Sequence, residues 1–302
     1  MTVRLGYACI NMTLQSKFGI TANRTCRKAT FEAKGLPHVG SLFQENLEAI
    51  YSIIKWNVAN NIFVYRMSSD IAPWASEYKF EELPNWPTCK ALLEKIGKYA
   101  RDKNVRLSFH PGQFNCMASH NPDVVRRSVI DLENHGRIFD LMGYPKNNWT
   151  KINIHIGGTY GDKSSTASRF VDNLSLLSGS VISRLTVEND DRPSMYSTQD
   201  LYNMVFKKSG IPIVFDYHHH ICHPGTINEY DALHMAASTW GDVTPTCHYA
   251  ESATFHDRPK APIRAHSKYV VQSINDYGLD LDIVIEAKCK ELALLKYREI
   301  HG

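Results

Sequence analysis

Short apolar runs alternate with longer amphipathic segments along almost the whole chain. The runs are rich in Val, Ile and Leu and have the length of strands, whereas the segments between them carry apolar residues at helical spacing. The pattern predicts eight strands, which lie at 3–9, 61–67, 104–110, 151–157, 183–189, 211–217, 245–250 and 281–287. It also predicts eight helices, which lie at 43–60, 86–103, 122–142, 166–178, 198–208, 227–238, 266–277 and 289–300.

This alternation predicts one closed barrel. Strand–helix–strand units with short connections are right-handed, and eight of them close into a (β/α)8 barrel. We find no internal repeat and no linker, so we predict an α/β protein with a single TIM-barrel domain over residues 1–302. A doubly wound open sheet is the alternative, but it would bring the strand ends to one centre less easily.

Six successive predicted strands end in a histidine or a carboxylate. These residues are His110, His155, Glu188, Asp216, His248 and Glu286. One such residue alone is more often structural, but core packing does not explain six, and the carboxyl ends of barrel strands converge on one mouth. Imidazole and carboxylate ligands together suit manganese, zinc or iron. Two or more such ions can hold a phosphodiester and ionise a water, so the sequence predicts a multi-metal enzyme.

Two further histidines extend this set of candidate ligands. His219 stands three residues after Asp216, on the loop that follows the sixth strand. His266 lies in the segment after the seventh strand and could serve a third ion. We assign the remaining histidines mostly to surface and loop positions.

The segment HPGQF at 110–114 is the most specific local motif. Pro111 and Gly112 favour a tight turn directly after His110, which would present Gln113 and Phe114 at the rim of the barrel. An amide beside an aromatic ring can fill a gap in a base stack. From the motif alone, a plain turn with Phe114 packed on the barrel is an equally good interpretation.

Composition and charge narrow the class of protein. With 43% hydrophobic residues, 22% charged residues and a net charge of +3, the chain is of ordinary globular type and does not demand an anionic partner. Charge is uneven, however, because residues 1–40 hold six basic residues and one acid, and residues 256–268 hold four basic residues and one acid. We predict basic loops near 11–42 and 251–265 on the mouth of the barrel. They could bind phosphates or could be ordinary solvated loops.

The seven cysteines are odd in number and include no C-x-x-C pair. This argues against a disulfide scaffold and a zinc-thiolate knuckle. The sequence has no signal-peptide pattern and no apolar run long enough to cross a membrane. We therefore expect a cytoplasmic protein without membrane contact, although the sequence does not reveal its oligomeric state beyond favouring a monomer.

The chain resembles the UV damage endonuclease family, a relative of the endonuclease IV and xylose isomerase barrels. The matching segments occur in the order typical of the family and span nearly the whole chain. They are LGYACIN at 5–11, HPGQF at 110–114, HIGG at 155–158, VEND at 187–190, FDYHHH at 215–220, PTCHYAES at 245–252, AHSKYV at 265–270 and IVIEAKCKE at 283–291. The resemblance implies a nuclease that nicks double-stranded DNA on the 5′ side of UV photoproducts and leaves a 3′-hydroxyl and a 5′-phosphate.

The resemblance also implies roles for individual residues. The site would hold up to three divalent ions, with Mn2+ the usual activator and Zn2+ or Mg2+ as alternatives. One ion would be bound by Glu188, Asp216, His248 and Glu286, a second by Glu188, Glu286, His110 and His155, and a third by His219 and His266. Contacts with the lesion and the opposite strand would be made by Tyr7, Asn11, Gln113 and Phe114.

Three positions depart from the family pattern. Thr246 stands where the resemblance leads us to expect a lysine that is often modified and touches the metal cluster. Phe114 lacks the hydroxyl of the tyrosine common at its position, and Lys268 replaces an expected acid. The threonine cannot supply a metal ligand of that kind, so we expect weaker binding of a third ion or its completion by water.

Three other functions stay open on the sequence. An abasic-site endonuclease of the endonuclease IV type would use the same cluster with another lesion pocket. A sugar isomerase would use similar ligands around two metals but would have no need of basic loops. A damage-binding protein without catalysis is the non-enzymatic alternative, and Thr246 is the one sequence feature in its favour.

Overall fold

Eight parallel strands form a barrel, as predicted. The computed structural model describes residues 2–256 and 258–302, so Asp257 of the predicted loop 251–265 lies outside the described residues. The strands are β1 Val3–Ala8, β2 Val64–Arg66, β3 Arg106–Ser108, β4 Ile152–Ile154, β5 Leu185–Glu188, β6 Ile213–Asp216, β7 Thr246–Tyr249 and β8 Leu281–Ile285. Their order in the sheet is β3-β2-β1-β8-β7-β6-β5-β4.

The barrel closes between β3 and β4 just beyond the hydrogen-bonded strands. Phe109 pairs with Ile152 in a parallel bridge. The Phe109 N–H donates to the Lys151 carbonyl at 3.0 Å, and the Asn153 N–H donates to the Phe109 carbonyl at 3.0 Å. This closure directs the carboxyl ends of all eight strands to the same mouth.

Helices cover the outside of the barrel. They are α1 Met12–Phe18, α2 Lys28–Ala59, α3 Trp86–Asp102, α4 Pro122–Leu141, α5 Lys163–Asn173, α6 Gly179–Ile182, α7 Thr198–Leu201, α8 Lys207–Ser209, α9 Tyr217–Cys222, α10 Glu229–Ala237 and α11 Lys290–His301. A π-helical turn at Tyr202–Phe206 joins α7 to α8. None of the helices within 2–256 and 258–302 combines the length and the apolar character needed to cross a membrane.

The prediction of a helix at 266–277 is wrong. The chain there is irregular, because its backbone donors are bound by one buried acid. The N–H groups of Val271 and Gln272 each donate to the Glu251 carboxylate at 2.8 Å. The Ser267 N–H donates to the Glu251 carbonyl at 2.8 Å. Donors held in this way cannot form the i to i−4 bonds of a helix.

The first basic segment is more helical than predicted. Only part of 11–42 is a loop, since α1 begins at Met12 and α2 begins at Lys28. The helix α2 is interrupted at Gly35, where φ is 63° and ψ is −158°. Glycine tolerates a positive φ at little cost, so the helix changes direction here and resumes before its buried part.

Three charged side chains fill the end of the barrel opposite the mouth. Asp282 on β8 accepts hydrogen bonds from Arg4 on β1, two of them at 2.6 Å, and from Arg106 on β3 at 2.8 Å. The remaining donors of Arg106 bind the carbonyls of Trp149, Thr244 and Asn148. Because every charge has a partner, this buried network can replace apolar side chains in the interior.

Candidate metal centre

Glu188, the last residue of β5, lies at the centre of the strand ends. Its side chain is 1% exposed and is surrounded by four imidazoles. Oε2 lies 2.9 Å from Nδ1 of His248 and 3.2 Å from Nε2 of His110. Oε1 lies 3.4 Å from Nδ1 of His219 and 3.9 Å from Nε2 of His155.

The other two carboxylates join the same cluster. Glu286 follows β8, and its Oε1 lies 3.3 Å from Nδ1 of His248. Its Oε2 lies 4.0 Å from Nδ1 of His266. Asp216, at the end of β6, has Oδ2 3.9 Å from Nδ1 of His219. The eight candidate ligands named from the sequence therefore lie together at the mouth.

Three of the imidazoles are held from outside the cluster. Nδ1 of His219 lies 2.8 Å from the Asn189 carbonyl, and Nδ1 of His266 lies 2.8 Å from the Glu286 carbonyl. A carbonyl oxygen can only accept, so these Nδ1 atoms carry the hydrogen, and a neutral ring then has its lone pair on Nε2. Nδ1 of His155 lies 3.0 Å from Oδ1 of Asp190, which forms an ion pair with the ring when the ring is protonated. Histidines that bind metals are commonly fixed by such outer partners.

The cluster perturbs its own acids and bases strongly. Burial works to raise the pKa of Glu188, but His248 and His110 outweigh it and hold that pKa well below its usual value. Burial raises the pKa of Asp216 to about 7, and repulsion from Glu188 adds to the effect. Burial would lower the pKa of His155, yet Glu188 and other nearby acids raise it to about 10. Such divergence of pKa values among neighbours is typical of functional sites.

The donor set fits divalent ions. Two groups of three ligand atoms each lie within 4.8 Å of one another, one from His110, His155 and Glu188, the other from Glu188, Asp216 and His248. Among the described residues, Asp216 Oδ2 is buried without a hydrogen-bond partner, and His248 Nδ1 lies close to Glu188 and Glu286 without hydrogen-bonding geometry to either. Unsatisfied buried acceptors are costly, and a bound cation would satisfy both atoms.

The sequence analysis missed three polar residues of the site. Arg66, at the end of β2, forms an ion pair with Glu286. Asn153 on β4 donates to Glu188 through Nδ2. Lys151 lies two residues before Asn153, and His155 lies two residues after it. Side chains two residues apart on a strand share a face. The period-two pattern of polar residues at 151, 153 and 155 could therefore have revealed Lys151 and Asn153.

Lys151 contacts the cluster from below. Its side chain is buried, and Nζ lies 3.1 Å from Nε2 of His248. Burial lowers the pKa of Lys151 to about 7, so near neutral pH the charged amine can donate to Nε2 and the neutral amine can accept from Nε2–H. In the second case the lone pair of His248 lies on Nδ1, where it can bind a cation between the ring and the carboxylates. Thr246 lies two residues before His248, and its buried hydroxyl has no partner in the described part of the chain.

The turn after β3 presents its side chains as predicted from the HPGQF motif. Gln113 is exposed, and 85% of Phe114 is exposed, so the alternative of a packed ring is wrong. Asn115 holds the turn, because its N–H and its Nδ2 donate to the Gly112 carbonyl at 3.0 and 3.2 Å. Nδ2 also donates to Asp131 on α4 at 2.8 Å, which ties the turn to the barrel.

Tyr7 and Asn11 lie in the interior of the protein and not at its surface. Both are fully buried. The Tyr7 hydroxyl donates to Asn57 at 2.7 Å and accepts from Asn11 Nδ2 at 2.9 Å, while Asn11 Oδ1 caps α1 by accepting from the Leu14 N–H at 2.8 Å. In this conformation the pair holds the start of α1 rather than reaching a ligand in the mouth.

A cavity of about 650 Å³ opens over the cluster. Its lining includes cluster residues, the turn after β3 and the segment after β5, in particular His110, Gln113, His155, Glu188, Arg192, His219 and Glu286. Exposed cations flank the mouth on the segments that follow β1 and β7, namely Lys17, Arg27, Arg258, Lys260, Arg264 and Lys268. The site therefore combines a centre of clustered carboxylates and imidazoles with a basic rim.

The fold and the site define a class, the parallel α/β barrels with a candidate multinuclear metal centre at the carboxyl ends of the strands. Comparison with known proteins narrows that class. A model of the family described as UV-endonuclease UvdE matches residues 3–301, and the chain belongs to this family.

Individual relatives agree with this assignment. The chain is 36% identical over 303 residues to the UV-damage endonuclease of Schizosaccharomyces pombe, and the alignment covers 97% of this chain and 50% of that protein. It is 31% identical over 313 residues to a UV DNA damage endonuclease of Bacillus cereus, with 98% of this chain and 93% of that protein covered. The chain thus spans about half the length of the first relative and nearly all of the second.

Solved structures give the same picture. The crystal structure of SacUVDE is similar with a TM-score of 0.83 and 29% identity, over 99% of this chain and 97% of that chain. A D-psicose 3-epimerase from Clostridium cellulolyticum H10 has a TM-score of 0.52 and 13% identity, over 78% of each chain. The second similarity concerns the barrel fold alone.

Proposed function

We propose that the protein is a metal-dependent DNA-repair endonuclease that nicks the backbone immediately 5′ to UV photoproducts, cyclobutane dimers and 6-4 photoproducts. The products are a 3′-hydroxyl and a 5′-phosphate, and the substrate is double-stranded DNA. One observation carries the proposal: three carboxylates and five imidazoles lie in one cluster beneath a basic mouth, with Glu188 at its centre, in a member of the UV-endonuclease family.

The metal ligands of the proposal are those that lie together in the cluster. Glu188, Asp216 and Glu286 provide carboxylates, and the histidines provide imidazole nitrogens. Mn2+ is the proposed activator, as the resemblance to the family implies, and the mixed nitrogen and oxygen ligands are compatible with it. When bound here, divalent ions would make a water more acidic and neutralise charge that develops on the phosphate. In the hydrolysis, the water oxygen bonds to phosphorus, the bond from phosphorus to the 3′ oxygen breaks, and a proton passes to that leaving oxygen.

The chain's own residues hold the substrate. Cations on the rim attract phosphates, so binding weakens as salt is added. Gln113 and Phe114 project beside the cavity and enter the base stack at the damaged dinucleotide. A photoproduct is already poorly stacked, so opening the helix there costs less than opening intact duplex, which gives selectivity. Tyr7 and Asn11 fix α1, from which the basic segment after β1 extends.

The proposal is tested with a duplex that carries one defined photoproduct. We expect the protein with Mn2+ to cut once, at the phosphodiester directly 5′ to the lesion, and we expect a chelator to stop cutting. A matched duplex with one abasic site distinguishes the endonuclease IV type of activity. Binding to the photoproduct in a gel-shift assay without any nick, in excess Mn2+, would instead identify a damage-binding protein.

Replacing Phe114 with alanine is expected to reduce discrimination between damaged and intact DNA. Stacking of one base on an aromatic ring contributes about 1–3 kcal/mol, so the ratio of the two dissociation constants should fall roughly 5- to 100-fold. Fluorescence anisotropy with the two duplexes measures this ratio, and Mn2+ affinity should not change.

Leu176→Ala is the matched control for this change. Leu176 is also an exposed apolar residue, at 54%, but it lies between α5 and β5 and lines neither the cavity over the cluster nor the pocket beside Phe114. An unchanged ratio in Phe114→Ala, equal to that of the control, would show that the ring does not enter the base stack.

A further inference from the structure

One strand end contributes a cation to the candidate metal centre. Arg66 is the last residue of β2, and its side chain is 13% exposed. It pairs through Nη1 with Oε1 of Glu286 and lines the cavity together with His110 and Glu188. A guanidinium among ligands for divalent cations repels those cations, so its position calls for a separate explanation.

Other buried arginines in the described part of the chain have their donors filled. Arg106 donates to Asp282 and to three backbone carbonyls. Arg184 donates to Ser180, to Thr150 and to the carbonyls at positions 144 and 145. These two arginines bind parts of the fold to one another, and neither faces the cavity.

Arg66 differs from both of them. A guanidinium has five N–H donors, and in the described residues that of Arg66 donates only to Glu286. Arg66 lines the cavity, and none of its other nitrogens is among the buried polar atoms without a partner in the described residues, so these donors are accessible from the cavity. A guanidinium held by one ion pair at the wall of a cavity is placed to bind an acceptor on a ligand.

The chemistry of the site specifies that acceptor. It must be an anion, because only an anion is attracted both by a guanidinium and by divalent ions held on Glu188 and Glu286. A phosphate group fits, since its oxygens match the planar fork of an arginine and can be shared with a neighbouring cation. The anion would also screen the Arg66 guanidinium from the divalent ions. The repulsion between these two kinds of cation in one site would then be reduced.

We propose that Arg66 is a catalytic residue that donates hydrogen bonds to a non-bridging oxygen of the scissile phosphate. This inference rests on the proposed nuclease function and adds a contact with the reacting group. Arg66 holds the phosphate against the cluster, and its charge stabilises the oxygens as negative charge grows on them during attack by water. Glu286 orients the guanidinium by accepting its Nη1–H.

Arg66→Gln tests this role, with Arg66→Lys as the conservative partner. Removing one donor of this kind typically lowers kcat by about 10²–10³-fold, and we expect that loss in Arg66→Gln. We expect partial recovery in Arg66→Lys, because a lysine keeps the charge but not the fork. Arg137→Gln is the matched control, since Arg137 pairs with Glu81 and lies on α4, away from the cavity. It should leave kcat, KM and salt dependence unchanged.

Binding experiments separate the proposed role from a structural one. Calorimetric titration with Mn2+ should show unchanged or tighter binding in Arg66→Gln, because a repelling charge is gone. Titration of Mn2+-loaded Arg66→Gln with inorganic phosphate should show an affinity at least tenfold lower than that of the Mn2+-loaded wild type. Melting temperatures of the variants identify any that fail to fold, and Arg66→Lys then serves as the decisive variant.

The possible outcomes distinguish the two proposals. If the wild-type protein cuts no DNA, the proposed nuclease function is wrong. The phosphate titration then still tests whether Arg66 binds a phosphate group at the cluster. If the wild type cuts and Arg66→Gln keeps its kcat and its phosphate affinity, Arg66 has no catalytic role. A loss of Mn2+ binding in proportion to the loss of activity would also overturn the proposal, since Arg66 would then merely support Glu286.

Discussion

Replacing Glu188 with glutamine is expected to abolish nicking while leaving DNA binding nearly intact. Glutamine keeps the shape of the side chain but removes the charge that four imidazoles surround. Metal-assisted hydrolysis draws several kcal/mol of stabilisation from the bound ions, so kcat should fall by roughly 10³-fold or more. Single-turnover cleavage of a lesion duplex measures the effect, and anisotropy measures binding.

The control for this change is an acid of the same type outside the site. Glu94 is exposed on α3 and pairs loosely with Lys90 at 3.9 Å. Glu94→Gln should cut at the rate of the wild type. If Glu188→Gln also cuts at that rate with unchanged Mn2+ affinity, the carboxylate at the centre of the cluster is not a metal ligand.

Replacing Asp282 with alanine is expected to cause the largest loss of stability. Asp282 is buried at the closed end of the barrel and accepts from both Arg4 and Arg106. Without it, Arg106 becomes an unpaired charge in the interior, which typically costs about 3–5 kcal/mol. The melting temperature should fall by roughly 5–8 °C, as measured by calorimetry of the metal-free protein.

An exposed ion pair provides the comparison. Glu299 pairs with Lys296 at 3.0 Å on the surface of α11, where solvent screens the interaction. Glu299→Ala should leave the melting temperature almost unchanged. Equal effects of the two changes would mean that the Arg4–Asp282–Arg106 network does not stabilise the barrel.

The strands could be predicted because each has a distinct apolar run. Strands in a closed parallel barrel are buried on both faces, so their sequences are short runs of branched apolar residues. The same reasoning located the candidate ligands, because a polar residue at the end of such a run must lie at the mouth. His110, Glu188 and Glu286 were found in this way, and the structure places them side by side.

Other features could not be read from local patterns. The segment 266–277 has helical spacing, but Glu251 binds its backbone from a distant part of the chain. Arg66 could not be predicted from the pattern of metal ligands, because a guanidinium does not bind cations. The resemblance to the family predicts that Tyr7 and Asn11 contact the lesion, whereas the structure buries both in a hydrogen-bond network with the distant Asn57. Long-range contacts of this kind leave no periodic signal.

The central claim is that side chains from distant parts of the sequence hold divalent ions at one point. Crystals soaked in Mn2+ and measured at the manganese absorption edge test this claim directly. We predict anomalous peaks within coordination distance of Glu188, His248 and Glu286. Fully soaked crystals with no peak at this cluster, or with manganese bound only on the outer surface, would contradict the account.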